Sequence, residues 1–331
     1  MNQTLVIGSA VVDVIMEIPH LPKTQEDVHI TKQSRSLGGC AYLASDILRH
    51  FKAPNSLCTA VGGGIYGDYV RKHLTERGVP IHVSRPEREN GCCYCMVEDG
   101  GERTFIVDHG VEYTFNEDYL ENIDTETIDS VYVCGLEVEE VNGPEIMVYL
   151  EKHPDYTVYF APGARVMKIQ PERMERMLSF HPVLHMNEEE AMTYTGTDTV
   201  EEAARKLYEK TQNAVIVTLG SKGSYCYDGE QDWYADLVPA DCVRDTIGAG
   251  DSHIGTIMAC RRYGLTFPEA ILAGNHISSA VVSKTGGMLD SEDFARAVEG
   301  MPTELRSKLK AAMADRRRYG GETYGKISTD H

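Results

Sequence analysis

Residues 245–252 read DTIGAGDS and lead into a strongly helical stretch at 254–263. Two glycines flank an alanine here, so backbone amides can turn toward one point at a helix N-terminus, where unpaired N–H groups and the helix dipole favour anions. Asp251, beside this anion hole, is placed to accept a proton from a hydroxyl while the amides hold the charge on a transferred phosphoryl group. A purely structural interpretation makes Asp251 the N-cap of the helix.

On both sides of this stretch, short β-rich runs alternate with helical patterns. The alternation predicts an α/β fold with a mostly parallel central sheet flanked by helices, and it places ligands at the carboxyl ends of the strands. The predicted strands are 4–7, 56–61, 130–134, 157–160, 183–185 and 214–218, and the clearest predicted helices among them are 41–51 and 68–77.

Two segments, 13–36 and 91–109, interrupt this alternation. In the second, two apolar runs flank a turn at 99–101, which predicts a β-hairpin. We expect the two segments to form a small β lid inserted into an α/β core made of 1–12, 37–90 and 110–331. The basic run at 316–318, near the end of a helical stretch that starts at 303, is interpreted as a solvated helix end.

Composition narrows the class of protein. The chain has 331 residues, 42% of them hydrophobic, which is enough for a sizeable core. A formal net charge of −19 argues against nucleic acid or an anionic membrane as a partner. No apolar run approaches the roughly 20 residues that span a bilayer, and no secretory signal is evident, so a cytoplasmic location is expected.

Nine cysteines in such a chain indicate reduced thiols rather than a disulfide framework. The tightest cluster, Cys92, Cys93 and Cys95, lacks a second Cys/His pair at the spacing of a zinc site. We interpret it as a thiol-rich strand.

The DTIGAGD part of the first stretch resembles the C-terminal signature D-T-x-G-A-G-D of the ribokinase-like (PfkB) carbohydrate kinase family, and every fixed position matches. The resemblance implies a ribokinase-like fold and an ATP-dependent kinase that phosphorylates a hydroxyl of a sugar or sugar-like small molecule. In that family the last aspartate is the catalytic base and the G-A-G amides form the anion hole. These roles then fall to Asp251 and to Gly248, Ala249 and Gly250.

The same resemblance implies the cofactors ATP and Mg²⁺. It also leaves K⁺ open at Asp245, because many relatives bind an activating monovalent cation around this aspartate. NEEE at 187–190 resembles the family's N-x-x-E, in which the asparagine and glutamate help to hold Mg²⁺ through water. Asn187 and Glu190 are the matching residues. The alternative is an acidic first helical turn after an Asn187 cap.

VTLGSKG at 217–223 resembles the family's V-T-L-G-x-x-G nucleotide loop, which assigns nucleotide contacts to Thr218, Gly220 and Gly223. The alternative is a tight structural connection. Asn275 aligns with a position that lines the adenine pocket in the family, although an exposed asparagine on a helix is also common.

The acceptor side of the resemblance begins with GSAVVD at 8–13, similar to the family's G-x-x-x-x-D, whose aspartate accepts hydrogen bonds from sugar hydroxyls. It assigns substrate contacts to Asp13, Gly38, Gly39 and Glu137. Arg165 follows a predicted strand, at a position where some relatives use an arginine to bind an acidic or phosphorylated sugar. The alternative is an ordinary surface arginine.

Three residues depart from the family pattern at the acceptor side. Leu43 stands where an asparagine is expected, and Val11 and Cys40 stand where ribokinase has an asparagine and a lysine. Leaving buried hydroxyls unpaired costs about 1–3 kcal/mol each, so free ribose is disfavoured as the acceptor. A nucleoside, with one apolar base face, is the alternative acceptor.

GGGIYG at 62–67 contains G-x-G-x-x-G between a predicted strand and helix, with Glu87 about 20 residues later, as in dinucleotide-binding proteins. An NAD-dependent oxidoreductase is therefore a further alternative. It is less favoured, because a strand–helix unit already precedes this motif and because it leaves residues 245–251 unexplained. Lids in the resembled family often pair between subunits, so a homodimer through the lid is a further expectation.

Overall fold

The computed structural model describes residues 2–100 and 102–314, in which helices cover both faces of a large sheet. The basic run at 316–318 and the end of the expected core, up to 331, lie outside the described residues. The strands are β1 (Gln3–Ile7), β2 (Val11–Ile18), β3 (Lys32–Gly38), β4 (Asn55–Cys58), β5 (Ala60–Gly63), β6 (Val83–Glu89), β7 (Cys92–Glu98), β8 (Arg103–Asp108), β9 (Ile128–Cys134), β10 (Thr157–Ala161), β11 (Val183–Asn187), β12 (Val215–Thr218), β13 (Ser224–Tyr227) and β14 (Asp232–Ala235).

The α-helices lie mostly between the strands of the large sheet and after its last strand. They are α1 (Cys40–His50), α2 (Gly64–Glu76), α3 (Gly135–Glu139), α4 (Gly143–Glu151), α5 (Pro171–Leu178), α6 (Glu188–Thr195), α7 (Val200–Thr211), α8 (Ala249–Arg262), α9 (Phe267–Val282), α10 (Ser291–Glu299) and α11 (Thr303–Ala314).

The large sheet has the strand order β14-β13-β12-β11-β10-β9-β1-β4. Six neighbouring strands of this sheet pair in parallel, namely β4, β1, β9, β10, β11 and β12. β13 and β14 form an antiparallel edge. Alternate residues of β1 enter two cores, because successive strand side chains point to opposite faces. Val6 packs with α1, α8 and α9, while Leu5 and Ile7 pack with α4, α5 and α7. The predicted α/β architecture is confirmed.

A second sheet, which we call the lid sheet, has the order β3-β2-β7-β8. β2 pairs in parallel with β7, and the β7–β8 pair is the antiparallel hairpin predicted at 91–109. The lid strands extend slightly beyond the predicted segments, from Val11 instead of residue 13 and to Gly38 instead of residue 36. The thiol-rich run at 92–95 lies within β7 as expected, and its three thiols are free.

The strand predicted at 56–61 is wrong as a single element, because the chain leaves the large sheet at Thr59. β4 pairs with β1, whereas β5 pairs with β6 in a separate two-stranded sheet. The hydroxyl of Thr59 accepts a hydrogen bond from the backbone N–H of Ala10 (3.1 Å) at this crossing. The glycine-rich motif therefore follows a strand of the small sheet.

The G-x-G-x-x-G segment does not form a loop for a pyrophosphate. Gly62 and Gly63 belong to β5, α2 begins at Gly64, and the N–H of Gly62 donates to the side chain of Asn90 (2.6 Å). A methyl group on Gly67 would lie 2.4 Å from the carbonyl oxygen of Gly62, so close helix–strand packing explains this glycine. The oxidoreductase alternative is disfavoured because the Gly62 amide is already bonded to Asn90 and because the motif follows a strand of the small sheet rather than of the large parallel sheet.

Candidate active site

A cavity of ≈ 250 Å³ lies at the carboxyl ends of β9, β10, β11 and β12. Parallel strands end together at one edge of a sheet, which is where the fold class places ligands. The predicted site residues on its wall are Arg165, Asn187, Glu190, Thr218, Gly250 and Asp251.

The DTIGAGD loop turns sharply into α8. Gly248 is the N-cap in the left-handed region (φ 75°), and a methyl group there would lie 2.9 Å from the carbonyl oxygen of Gly287 and 3.1 Å from Leu43. α8 begins at Ala249, earlier than the predicted start at 254, so Gly250 and Asp251 lie in its first turn. The N–H of Ala249 donates to the carbonyl oxygen of Thr246 (3.3 Å), whereas the amides of Gly250 and Asp251 have no partner within the helix and favour an anion.

The interpretation of Asp251 as a mere N-cap is wrong, because Gly248 occupies that position without a side-chain cap. The carboxyl group of Asp251 lies instead on the cavity wall. Burial raises its pKa to about 6, the thiol of Cys40 opposes this by a hydrogen bond, and the charge of Glu190 adds to the increase. A carboxylate with a pKa near neutrality is suited to act as a general base.

The pH dependence of turnover follows from two carboxyl groups. Burial, followed by the charges of Asp245 and Asp251, raises the pKa of Asp13 to about 7. In the roles that the sequence predicts, an ionised Asp251 takes a proton and an ionised Asp13 accepts hydrogen bonds from hydroxyls most strongly, so kcat/KM for the acceptor is expected to rise from about pH 5 to about pH 8 and then level off. Direct measurement of ADP formed at each pH checks this; a rate that is constant or falls over this range would contradict it.

Asn187 and Glu190 form a reciprocal capping box at the start of α6. The Asn187 side chain accepts from the N–H of Glu190 (2.8 Å), and the Glu190 carboxylate accepts from the N–H of Asn187 (3.0 Å). Burial raises the pKa of Glu190, the hydrogen bond from Asn187 opposes this, and the neighbouring Glu189 adds to it. The expected cap is therefore present, and it fixes both oxygen-bearing side chains at the cavity wall. Their oxygen donors suit a water-coordinated Mg²⁺.

The predicted nucleotide loop follows β12. Thr218 ends this strand opposite Asn187 in the register, so the two motifs meet at one sheet edge. Gly220 (φ 57°) and Gly223 (φ 98°) both lie in the left-handed region, and a methyl group on Gly223 would lie 2.1 Å from the carbonyl oxygen of Ala235. The loop therefore requires glycine for its turn and for close packing against the end of β14.

Asn275 is buried rather than exposed, and it is not among the residues that line the cavity. Its amide group donates to the carbonyl oxygens of Ala235 and Asp236 (both 3.0 Å), and its oxygen faces Nε2 of His253 (3.2 Å). Nδ1 of His253 in turn faces Nε2 of His185 (3.0 Å). Asn275 thus positions the segment after β14 from within the protein.

This chain of hydrogen bonds reaches the cavity at His185, a residue that the sequence analysis missed. Burial lowers the pKa of His185, and the neighbouring His253 lowers it further; burial also lowers the pKa of His253 to about 4. Both imidazoles are therefore neutral at physiological pH. The sequence offers one signal for these two histidines, which is their position: His185 lies two residues before Asn187, and His253 lies two residues after Asp251.

The acceptor-side residues Asp13 and Gly38 are in direct contact in the lid sheet. A methyl group on Gly38 would lie 2.0 Å from Oδ2 of Asp13. Gly39 has a positive φ of 97°, and a methyl group there would lie 2.5 Å from the carbonyl oxygen of Ser9. These glycines therefore let the backbone approach the Asp13 carboxylate and the β1–β2 connection.

Glu137 is buried at the start of α3. Its carboxylate accepts from the N–H of Ser9 (2.9 Å) and from the thiol of Cys134. Burial raises the pKa of Glu137 to about 6, whereas the hydrogen bonds from Cys134 and Ser9 lower it. Ser9, also missed by the sequence analysis, is fully buried beside the Glu137 carboxylate.

Arg165 lies on the cavity wall but is already neutralised. Its Nε and Nη2 groups both bond to the carboxylate of Glu139, in a bidentate ion pair. A paired guanidinium offers less positive potential to an anionic sugar.

Within residues 2–100 and 102–314, no cluster of three or more His, Cys, Asp or Glu side chains is arranged to hold a metal ion. No helix of the same residues is long and apolar enough to cross a membrane. A metal at Asn187 and Glu190 would therefore take most of its ligands from water and substrate, as Mg²⁺ commonly does.

The chain is similar in sequence to known carbohydrate kinases. Residues 1–293 match the family described as pfkB family carbohydrate kinase. "Uncharacterized sugar kinase YegV" of Escherichia coli is 29% identical over 290 residues, which cover 86% of this chain and 90% of that protein.

Two solved structures share the fold. Arabidopsis thaliana ribokinase complexed with ribose and ATP has a TM-score of 0.74 at 22% identity, over 90% of this chain and 99% of its own. The nucleoside kinase of Methanocaldococcus jannaschii has a TM-score of 0.74 at 18% identity, over 91% of this chain and 99% of its own.

Proposed function

This chain belongs to the pfkB family of carbohydrate kinases, and we propose that it phosphorylates a neutral sugar or sugar-like molecule with Asp251 as the catalytic base. The kinase is ATP-dependent and its acceptor is a hydroxyl group. One observation carries the proposed roles: Asp251 lines the cavity and lies in the first turn of α8, next to Gly250, which also lines it.

In the proposed reaction, Asp13 and Glu137 accept hydrogen bonds from acceptor hydroxyls and Asp251 takes the proton of the reacting primary hydroxyl. The oxygen attacks the γ-phosphorus of ATP in line, the bond to the β-phosphate oxygen breaks, and a phosphate monoester and ADP result. Amides of residues 248–250 hold the charge that develops on the transferred group. Mg²⁺, held through water by Asn187 and Glu190, would neutralise phosphate charge.

A neutral acceptor is favoured by the charges around the site. Asp13, Glu137 and Asp251 are all carboxyl groups whose pKa is raised by burial, and the nearby Arg165 is paired with Glu139. Hydroxyl groups can donate to such carboxylates, whereas a carboxylate or phosphate on the acceptor would be repelled. The apolar Val11 is buried in β2, two residues before Asp13, and would further disfavour a heavily hydroxylated ligand at that position.

Release of ADP from Mg-ATP across sugars, sugar acids and nucleosides tests the proposal. We expect turnover with a neutral sugar-like molecule, much slower turnover with sugar acids, and loss of turnover in the Asp251→Asn variant. A nucleoside as the best acceptor would select the alternative substrate class. Preferential turnover of a sugar acid would contradict the neutral-acceptor assignment.

Glu190→Gln is expected to raise the Mg²⁺ concentration for half-maximal activity about tenfold. Glutamine retains an oxygen for the N–H of Asn187 (3.0 Å), so the helix cap is preserved while the negative charge is lost. Titration of activity with Mg²⁺ at constant ATP measures the change. Glu189→Gln is the matched control, because Glu189 is exposed and does not line the cavity; equal shifts in both variants would contradict a specific role for Glu190.

A homodimer through the lid sheet is the proposed assembly. Three consecutive apolar side chains of the edge strand β8, Phe105, Ile106 and Val107, are exposed by 41–59%. An exposed apolar edge strand commonly pairs with another chain. Sedimentation equilibrium distinguishes this dimer from a monomer.

A further inference from the structure

An arginine of the lid sheet reaches into the DTIGAGD loop. Arg103, at the start of β8, forms an ion pair with Oδ1 of Asp245, the first aspartate of the loop. Its Nη2 group also donates to the carbonyl oxygen of Arg244 (3.3 Å). The two partners of this ion pair are separated by 142 residues in sequence.

Both carboxylate oxygens of Asp245 already accept hydrogen bonds. Oδ1 accepts from the N–H of Ile247 (2.8 Å) as well as from Arg103, and Oδ2 accepts from the N–H of Gly286 (3.0 Å). Its side chain is 2% exposed and that of Arg103 is 17% exposed. A carboxylate buried to this degree needs a counter-charge, because removal of one partner leaves an uncompensated ion.

The guanidinium of Arg103 lies against Asp245, where the family resemblance allowed a K⁺ ion. A monovalent cation there would need the carboxylate and nearby carbonyl oxygens as ligands. The guanidinium of Arg103 already binds both the Asp245 carboxylate and the Arg244 carbonyl oxygen. The residues present around this aspartate therefore do not fit K⁺.

A second lid strand touches the same region. A methyl group on Gly286 would lie 3.1 Å from Cβ and Oγ of Ser36, in β3, and one on Gly287 would lie 3.0 Å from the carbonyl oxygen of Ile247. The loop at 286–287 is thus packed between the lid sheet and the anion-hole loop. Contacts from β3 and β8 both converge on the backbone that orients Gly248.

We propose that the Arg103 guanidinium serves as the built-in cation of the DTIGAGD loop, so that this kinase turns over without a monovalent metal ion. Arg103 is a positioning residue, since it acts on the anion hole through Asp245 and Ile247. Because it belongs to the lid sheet, the same ion pair also couples the lid to the orientation of the anion-hole amides. The activity consequences rest on the proposed function, but cation binding at Asp245 can be measured independently.

The first experiment uses the wild-type protein, with tetramethylammonium chloride and KCl compared at equal ionic strength. Turnover and melting temperature are expected to be the same in both salts. Arg103→Ala is expected to lose activity by about 10- to 100-fold in tetramethylammonium chloride, because the anion hole loses its orientation. KCl or a low concentration of guanidinium chloride should restore part of that activity and raise the melting temperature of the variant.

Arg103→Lys, which retains the charge, should keep more activity than Arg103→Ala. Arg35→Ala is the matched control: it removes an exposed arginine from β3 of the same sheet and should behave as wild type in both salts. Activation of the wild type by K⁺, or Arg103→Ala turnover equal to wild type without K⁺, would overturn the proposal. If Arg103→Ala does not fold, the wild-type comparison still decides between the two cations.

Failure of this proposal differs from failure of the proposed function. A protein without kinase activity toward any acceptor would contradict the proposed function, while its melting temperatures in the two salts would still report whether K⁺ binds. A rise in the wild-type melting temperature specific to K⁺ would overturn the role of Arg103 alone.

Discussion

Asp251→Asn is expected to lower kcat by about 10³-fold, which lies within the contribution of a general base. Asparagine has nearly the same shape as aspartate but cannot take the proton of the acceptor hydroxyl. The affinity for Mg-ATP should change little, because the amides of residues 248–250 and the residues Asn187 and Glu190 remain. Pre-steady-state and steady-state assays of ADP formation, together with calorimetric titration of a non-hydrolysable ATP analogue, measure the two quantities separately.

Two controls show that such a loss is chemical rather than structural. Burial raises the pKa of Asp251 to about 6, above the pKa of an aspartate in the unfolded chain. At a pH above both of these pKa values, the carboxylate is ionised in either state and is less favourable in the folded protein, so it opposes folding. The Asp251→Asn variant should therefore unfold at the same temperature as the wild type, or at a higher one, at about pH 8. Asp290→Asn is the matched control, since Asp290 also stands at a helix start and asparagine caps a helix equally well. Near-normal kcat in Asp251→Asn would contradict its assignment as the base.

Gly38→Ala is expected to lower kcat/KM for the acceptor by about 10³-fold, because Asp13 would lose two hydrogen bonds of roughly 1.5–3 kcal/mol each. The added methyl group would lie 2.0 Å from Oδ2 and 2.7 Å from Cγ of Asp13, so the carboxylate must move. The backbone of Gly38 does not require a positive φ, so the effect arises from this contact. KM for ATP should stay close to that of the wild type.

Gly300→Ala provides the control for Gly38→Ala. A methyl group at Gly300 would meet its nearest atom, the carbonyl oxygen of Ala297, at 3.5 Å, which is an ordinary contact. Both variants should fold, as circular dichroism and thermal melting can show. Equal kcat/KM for the acceptor in wild type and Gly38→Ala would contradict the placement of Asp13 in the acceptor site.

The local parts of the site could be predicted from sequence. The anion-hole turn depends on glycines at fixed positions, and the Asn187–Glu190 cap depends on a spacing of three residues; both are properties of one short segment. The alternation of strands and helices likewise predicted the sheet and the edge at which the cavity lies.

Contacts between distant segments could not be predicted in the same way. Arg103 and Asp245, like Arg165 and Glu139, meet only because the fold brings separate segments together. The buried Asn275 finds its hydrogen-bond partners at the end of β14, some 40 residues earlier. The division of 56–61 into β4 and β5 depends on which neighbouring strand each half meets, and nothing in an apolar run specifies that partner.

The path of the chain around the acceptor residues has a further consequence. Only three residues join β1 of the large sheet to β2 of the lid sheet, and β3 returns through Gly39 directly into α1. The proposed acceptor contacts, Asp13, Gly38 and Gly39, therefore lie at or next to the two connections that join the lid sheet to the rest of the protein. A substitution that changes acceptor preference here also alters the attachment of the lid sheet, so substrate specificity and lid attachment depend on the same short segments.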